Sequence, residues 1–484
     1  MANFKTDESF LEKISIGAIG TKRVYENLLS QHHLPIELER GSMSYKIWKK
    51  IKIKRIRVPD ILLVNCGVRV ESRAKTNLEI TMSHSQSDPN RGWDFGLKDT
   101  DYVALIGCQK YGDSPIDWLA DDFVQYISVR LLREAATRNE IIEIEAKGAQ
   151  EGFEKRITWP ANVANSDGII TKIDDNSIQY SRTVDNRKIT LRLTKKGIHI
   201  SPLYNVGDRI FRNRIISATI PVLLNITAPN VDLQYYINNL TSTSLSERYA
   251  AAKALSFFNN PTVIDALFNK LQDNDEHIYV KLDVAASLVK LGDNRGYMFI
   301  ESMLNNEYIQ NILETVIVLS EIHTERSAEL LISVLNDETK DSEIRAGAAW
   351  GLGEMRNQNT INALSNSFNQ IHENIKIEAA RALAKLVGNY TPSIIEKFKE
   401  ASINEKPGLA WALTKADNLT MSQLIESLRG THTREWVAYI IGKQGEEKFI
   451  NEIESLRTTD SEVYFAITVL WKIMSSWVYN LEEY

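Results

Sequence analysis

From about Val231 onward, apolar residues return at three- and four-residue steps, in blocks that themselves recur. The clearest blocks run Arg248 to Leu255, Leu282 to Leu288, Ile312 to Leu319, Arg345 to Leu352 and Lys376 to Leu383. Weaker copies run Gly408 to Leu413, Trp436 to Ile441 and Phe465 to Leu470. Their closing apolar residues are spaced by 33, 31, 33, 31, 30, 28 and 29. The short steps predict amphipathic helices. The long period predicts helical pairs stacked into a solenoid. Small alanines at helix contacts let neighbours approach, and the recurring Leu or Val fills the shared core. Intervening helices are predicted over Thr262 to Leu271 and Ser327 to Leu335, with stops at Gly292-Asp293 and Gly388-Asn389.

Upstream the period changes. Residues 150–220 alternate apolar and polar positions between Asp- and Asn-rich turns, which predicts short strands. Examples are Gly168 to Ile173, Ser177 to Ser181 and Lys188 to Leu193. Near the N-terminus, Glu8 to Gln31 predicts a helix, with Gly17 and Gly20 marking a break or a close backbone approach, and His32-His33 ending it. Lys46 to Arg57 alternates basic and apolar residues, a strand with one basic face. Val58 to Val64 is an apolar run, Asn65-Cys66-Gly67 a tight turn, and Val68 to Lys75 a further alternating strand. The expectation is a multidomain α/β + β + α chain. It has an N-terminal mixed-sheet domain (1–149), a small β domain (150–230) and a C-terminal α-solenoid (231–484).

Composition adds limits. Of 484 residues, 43% are hydrophobic and 25% charged, which is ordinary globular usage. Two cysteines, Cys66 and Cys108, cannot build a disulfide framework. No secretory signal or membrane span is predicted, so a cytoplasmic setting is expected. The net charge of −6 hides a division. Residues 1–230 hold 34 basic and 28 acidic side chains, and the remainder 23 and 35. A local excess lies between Arg40 and Ile80, with eleven basic residues against Asp60, Glu71 and Glu79. Such a face suits an anionic polymer. The acidic solenoid suits a protein partner better.

The candidate chemistry sits in the hairpin. A reversal near Cys66 brings Asp60 and Glu71 together on neighbouring strands. Period-two alternation puts Glu71, Arg73 and Lys75 on one face. Two carboxylates can hold Mg²⁺ or Mn²⁺, and the cations can steady a phosphoryl transition state. The alternative reading of the same residues is an ion-pair ladder joining Asp60 and Glu71 to Arg57, Arg73 and Lys75. Ser83-His84-Ser85 reads as a loop. Asp94, Asp99 and Asp101 read as turn formers before the apolar strand Tyr102 to Ile106. No Gly-rich phosphate loop is present, which argues against ATP hydrolysis.

Three resemblances accompany these patterns. The C-terminal blocks resemble HEAT repeats, notably the short type of bilin-lyase-like proteins. Residues 166–218 resemble a barrel-sandwich hybrid, without the lysine hairpin tip of carrier domains and with Asn213 where glycine is usual. Pro59-Asp60 followed by Glu71 resembles the PD-(D/E)XK nuclease superfamily. Here the usual lysine position holds Arg73, and Lys75 stands one step further along the face. That resemblance implies catalytic Asp60, Glu71, Arg73 and Lys75, with metal ligands Asp60 and Glu71. It also implies a first-helix glutamate from Glu12 or Glu26, and a competing Glu145-Ala-Lys147 lies in a helix-to-loop stretch. The basic strand implies nucleic-acid contacts from Lys49, Lys50, Lys52, Lys54, Arg55 and Arg57. The expected function is a Mg²⁺-dependent nuclease with a partner-binding solenoid, in restriction or phage defence. The alternative is a non-catalytic nucleic-acid-binding scaffold.

Overall fold

The computed structural model describes residues 7–43, 56–85, 87–145, 154–417, 419–429, 431–445, 449–465 and 467–469. The chain forms two compact units. One comprises Met1–Lys46 with Arg55–Lys270, and the other is built mainly from Leu271–Tyr484.

In the first unit, α1 (Asp7–Ser30) leads into a meander of β1 (Pro35–Glu37), β2 (Ile61–Leu63) and β3 (Arg69–Lys75). The β2–β3 reversal is the predicted turn. Gly67 takes φ +71°, and its N–H donates to the Leu63 carbonyl at 2.8 Å. β4 (Thr81–His84) leaves this sheet, and β5 (Tyr102–Lys110) returns parallel to β3, with Glu71 beside Val103 and Lys75 beside Gly107. β6 (Trp118–Ala120) and β7 (Gln125–Ser128) pair antiparallel with β5, and α2 (Val129–Thr137) follows.

Strand alternation divides this sheet into two faces. Val70, Ala74, Ala104 and Ile106 pack with Val24 and Leu28 of α1. Val103 and Leu105 join a second core with Leu132, Ile157, Trp159 and Ile215. Glu71, Arg73 and Lys75 alternate onto that second face. The helix lies close: a methyl added at Gly20 would sit 2.4 Å from the Ala74 Cβ, whereas one at Gly17 meets nothing within 4 Å. The glycine pair therefore marks one close approach and no break. Gly20→Ala is expected to lower stability by about 1–3 kcal/mol through overpacking. Gly17→Ala should raise it by about 0.5–1 kcal/mol through helix propensity. Thermal unfolding of the two variants checks both.

The expected boundary at 149/150 does not separate compact units. β4 pairs with β9 (Lys155–Thr158), which also pairs with β8 (Ile142–Glu145), and the second core draws on residues from both sides of 150. Each strand must place its backbone groups somewhere, and here the partner lies across the expected boundary. The structure corrects two local readings as well. Ser83 and His84 belong to β4, and Glu145 ends strand β8.

Beyond β9, the unit continues through β10 (Ala161–Val163), β11 (Gly168–Ile173), β12 (Ser177–Arg182) and β13 (Lys188–Arg192). Short pieces follow: β14 (Thr194–Lys195), β15 (Ile198–His199), β16 (Ser201–Pro202), β17 (Arg209–Ile210) and β18 (Ile215–Ala218). They form sheets ordered β10-β18-β16 and β13-β12-β11-β17, around Ile170, Ile178, Tyr180 and Ile216. Two helices, α3 (Leu233–Asn239) and α4 (Leu245–Ala254), also pack into this unit. The Tyr236 hydroxyl donates to the Val64 carbonyl at 2.7 Å, and Lys98 Nζ pairs with Glu247 at 2.7 Å. The compact unit thus runs past the boundary expected at 230/231.

α5 (Pro261–Gln272) is followed by the helices of the second unit. These are α6 (Ile278–Lys290), α7 (Arg295–Met303), α8 (Ile309–Ser320), α9 (Glu325–Asn336), α10 (Ser342–Met355) and α11 (Ile361–Asn366). Then come α12 (Glu373–Glu400), α13 (Lys406–Leu413), α14 (Met421–Leu424), α15 (Thr431–Gln444) and α16 (Ile450–Thr459). The repeated Leu288, Leu319, Leu352, Leu383, Leu413 and Ile441 are all buried, and the eighth position, Leu470, lies outside the described residues. Small residues do allow close approach: a methyl on Gly353 would lie 2.6 Å from the Ala382 Cα. α12 is broken at Tyr390 (φ −129°), shortly before Pro392, which lacks the N–H a continuous helix needs. The start of α9 is held by Thr324, whose side chain accepts from the Ser327 N–H. Among the described residues, no helix is long and apolar enough to cross a membrane.

Candidate active site on the second face of the main sheet

The β2–β3 register pairs Ile61 with Val70 and Leu62 with Arg69. Continued by one residue, it sets Asp60 across from Glu71. Asp60 is 7% exposed, and its Oδ2 accepts the Ser72 N–H at 2.7 Å. Burial holds its carboxyl well above the usual carboxylate range. The Glu71 and Glu39 carboxylates add to the shift, against the lowering pull of the Ser72 N–H and Arg73. Glu71 is also raised, first by burial, with Arg73 opposing and Glu39 reinforcing. Two acids that each resist ionisation mark a place where positive charge would be welcome.

The cations are placed as follows. Arg73 donates to Glu71 Oε1 at 2.9 Å. Lys75 Nζ donates to the Thr81 carbonyl at 2.7 Å. Burial and then Arg73 push the Lys75 amine down to about 8. Arg57 is near enough to Glu71 to lower its pKa, bonds the Asn90 carbonyl and lies over the Phe95 ring. Lys49, Lys50, Lys52, Lys54 and Arg55 lie outside the described residues.

The remaining sequence candidates go elsewhere. Glu12 pairs with Lys110 at 3.4 Å and Glu26 with Arg23 at 3.6 Å, both on α1, which packs on the opposite face of the sheet. The acid that the sequence reading missed is Glu39, just beyond β1. His84 Nδ1 accepts the Trp93 N–H at 3.4 Å. Asp94 and Asp99 both bind Arg133. Asp101 is fully buried against Arg69 at 2.6 Å, a structural pair. Cys66 and Cys108 are buried free thiols.

Among the described residues, no three His, Cys, Asp or Glu side chains gather closely enough to hold a metal ion. The residues that could hold a metal here are the two carboxylates Asp60 and Glu71. That suits Mg²⁺, which keeps several waters and commonly takes one or two carboxylates plus substrate phosphate.

No family model matches the chain, and no curated protein matches it significantly. Among solved structures, it is similar to the phycocyanin lyase complex of Nostoc sp. PCC7120, at 16% identity over 51% of this chain and 96% of that one, with a TM-score of 0.26. It is similar to human deoxyhypusine hydroxylase at 14% identity over 44% and 84%, with a TM-score of 0.20. It is also similar to a designed armadillo repeat protein in complex with a peptide, at 14% identity over 50% and 100%, with a TM-score of 0.19. Likenesses of this degree carry no argument about activity. The chain's own helices define the second unit as a helical repeat array.

Proposed function

We propose that the first unit is a metal-dependent nuclease of the PD-(D/E)XK type, hydrolysing phosphodiester bonds with DNA as the favoured substrate. In this reading the helical repeats engage a protein partner, in a restriction or defence setting. The observation that carries the reading is the meeting of Asp60 and Glu71 on one sheet face with Lys75 further along it.

Asp60 and Glu71 would hold Mg²⁺ or Mn²⁺, which when bound supplies Lewis-acid stabilisation of a leaving oxygen. Lys75, with its amine near 8, exists partly neutral in mild alkali and can take a proton from an attacking water. A guanidinium is a poor general base, so Arg73 would orient phosphate. Its present partner, Glu71, would be shared with the metal.

Incubating purified protein with Mg²⁺ or Mn²⁺ and a panel of DNA and RNA tests the reading. Asp60→Ala is the control, and cleavage surviving that substitution overturns the site. A pH profile follows from Lys75. Cleavage should rise from pH 7 and level off above about 8, because only the neutral amine accepts a proton. Lys75→Met should lose about 10²–10⁴-fold and flatten the profile.

A second reading, a nucleic-acid-binding scaffold without catalysis, is favoured by the Glu71–Arg73 ion pair and the Lys75–Thr81 bond, which occupy these groups internally. It expects salt-sensitive binding and no cleavage with any metal.

A further inference from the structure

β17 and the turn that leads from it to β18 carry Arg209, Phe211, Arg212 and Arg214 within six residues. Three arginines stand there against one aspartate, Asp208, whose Oδ2 accepts the Asn205 N–H at 2.7 Å. Among the described residues, none of the three arginine side chains makes an ion pair or a hydrogen bond. The neighbouring carboxylates are engaged by other donors. Asp167 Oδ1 accepts the Arg212 backbone N–H at 2.8 Å, and Asp121 Oδ2 accepts from Asn213 Nδ2 at 2.8 Å.

Arg214 is the most constrained of the three. It is 9% exposed, and its guanidinium stacks 3.9 Å above the Phe123 ring centroid. One terminal nitrogen, NH1, is sealed from solvent without an acceptor. A buried guanidinium lacking an anion is costly, and the Phe123 face offsets only part of that cost. Phe123 packs in turn on Phe211, with centroids 5.7 Å apart, and Phe211 remains 41% exposed. The turn is rigid. Asn213 adopts φ +64°, its N–H donates to the Ala164 carbonyl at 2.8 Å, and its own carbonyl accepts from Gln125 Nε2 at 2.9 Å.

We propose that this turn is a contact site for single-stranded nucleic acid. Phe211 stacks against a base, and Arg214, on its Phe123 platform, takes the adjoining backbone phosphate. Unpaired arginines beside an exposed aromatic ring are what a strand with accessible base faces requires. A carboxylate ligand would use the arginines and leave Phe211 without a role. A duplex would present its phosphates but keep its bases stacked away from the ring. Burial lowers the pKa of Arg214, so an incoming phosphate restores the environment its charge lacks. The site deepens the nucleic-acid reading of the first unit and names its substrate as single-stranded. It does not depend on cleavage.

The test uses the full chain in EDTA, with a labelled twelve-nucleotide DNA strand, the RNA of the same sequence and the matching DNA duplex. Phe211→Ala and Arg214→Ala are each expected to weaken single-strand binding about tenfold. Arg214→Ala should also reduce the slope of log affinity against log salt by about 0.7. Phe211→Trp should retain binding, which separates lost stacking from lost folding. Unchanged affinity in either alanine variant overturns the proposal. So does the absence of wild-type binding, or an equal loss on the duplex. Cleavage assays with Asp60→Ala fail or succeed independently, so the two readings fall separately.

Discussion

Asp60→Asn is expected to abolish cleavage and, at the same time, to raise the stability of the first unit at neutral pH. The amide can still accept the Ser72 N–H, which Asp60 Oδ2 accepts at 2.7 Å. What it removes is a buried charge facing two other carboxylates. Asp60 and Glu71 both have carboxyls raised in the folded state, so the folded chain binds protons more readily than the unfolded one. Stability from these groups is fully present below their unfolded pKa and is lost as pH rises through the folded value. The wild type should therefore lose stability on going from about pH 4 towards neutrality, and Asp60→Asn should flatten that limb. The gain at pH 7 is expected to be about 1 kcal/mol, or roughly 2–4 °C in Tm. On the proposed nuclease reading, in which Asp60 and Glu71 hold the metal, loss of one carboxylate should cost at least about a hundredfold in rate. Thermal unfolding between pH 4 and 8, read beside a cleavage assay, measures both. If the acids were a structural ion-pair ladder with Arg73, the same substitution would lower Tm. A fall in Tm at neutral pH would therefore overturn the functional reading of the pair.

The largest stability effect is expected at Asp101. Its Oδ2 accepts from Arg69 NH2 at 2.6 Å and from the Lys98 N–H at 2.6 Å, and its Oδ1 accepts the Arg69 N–H at 3.2 Å. Arg69 also donates to the Gly96 carbonyl at 2.9 Å and to Ser246 Oγ at 2.7 Å. With exposures of 2% and 0%, the pair joins β3, the loop before β5 and the start of α4 inside one dry site. Asp101→Ala leaves a buried guanidinium without its counter-charge and should cost about 3–5 kcal/mol. The double substitution Arg69→Met with Asp101→Ala removes both charges and should cost much less than the single one. Urea unfolding of the four-member cycle gives the coupling directly. A double variant as unstable as the sum of the two singles would show that the charges do not act as a pair.

The two carboxylates of the candidate site were readable because everything that pairs them is local. A turn at Asn65-Cys66-Gly67 and period-two alternation on either side fix which residues of a hairpin oppose each other. The helical repeat was readable for a related reason. Each pair repeats the same small and large positions, and Leu288, Leu319, Leu352 and Leu383 are buried in the same role. Glu39 was not readable, because its approach to Asp60 depends on how β1 lies beside β2. Asp101 and Arg69 looked like any loop aspartate and strand arginine, because burial does not show in the identity of a charged residue. The arginines at 209, 212 and 214 likewise looked like ordinary surface charge, and only the missing acceptors set them apart.

Local spacing alone thus determined the repeated helices, α1, the strands β11 to β13, the β2–β3 hairpin and the residues that face one another across it. Tertiary structure alone decided that β5 returns parallel to β3, that β4 finds β9 beyond residue 150, and that α3 and α4 join the α/β unit. Those choices depend on backbone and apolar groups far apart in the chain finding partners that satisfy and bury them together. No local pattern records which of many chemically equivalent partners will be the one in reach.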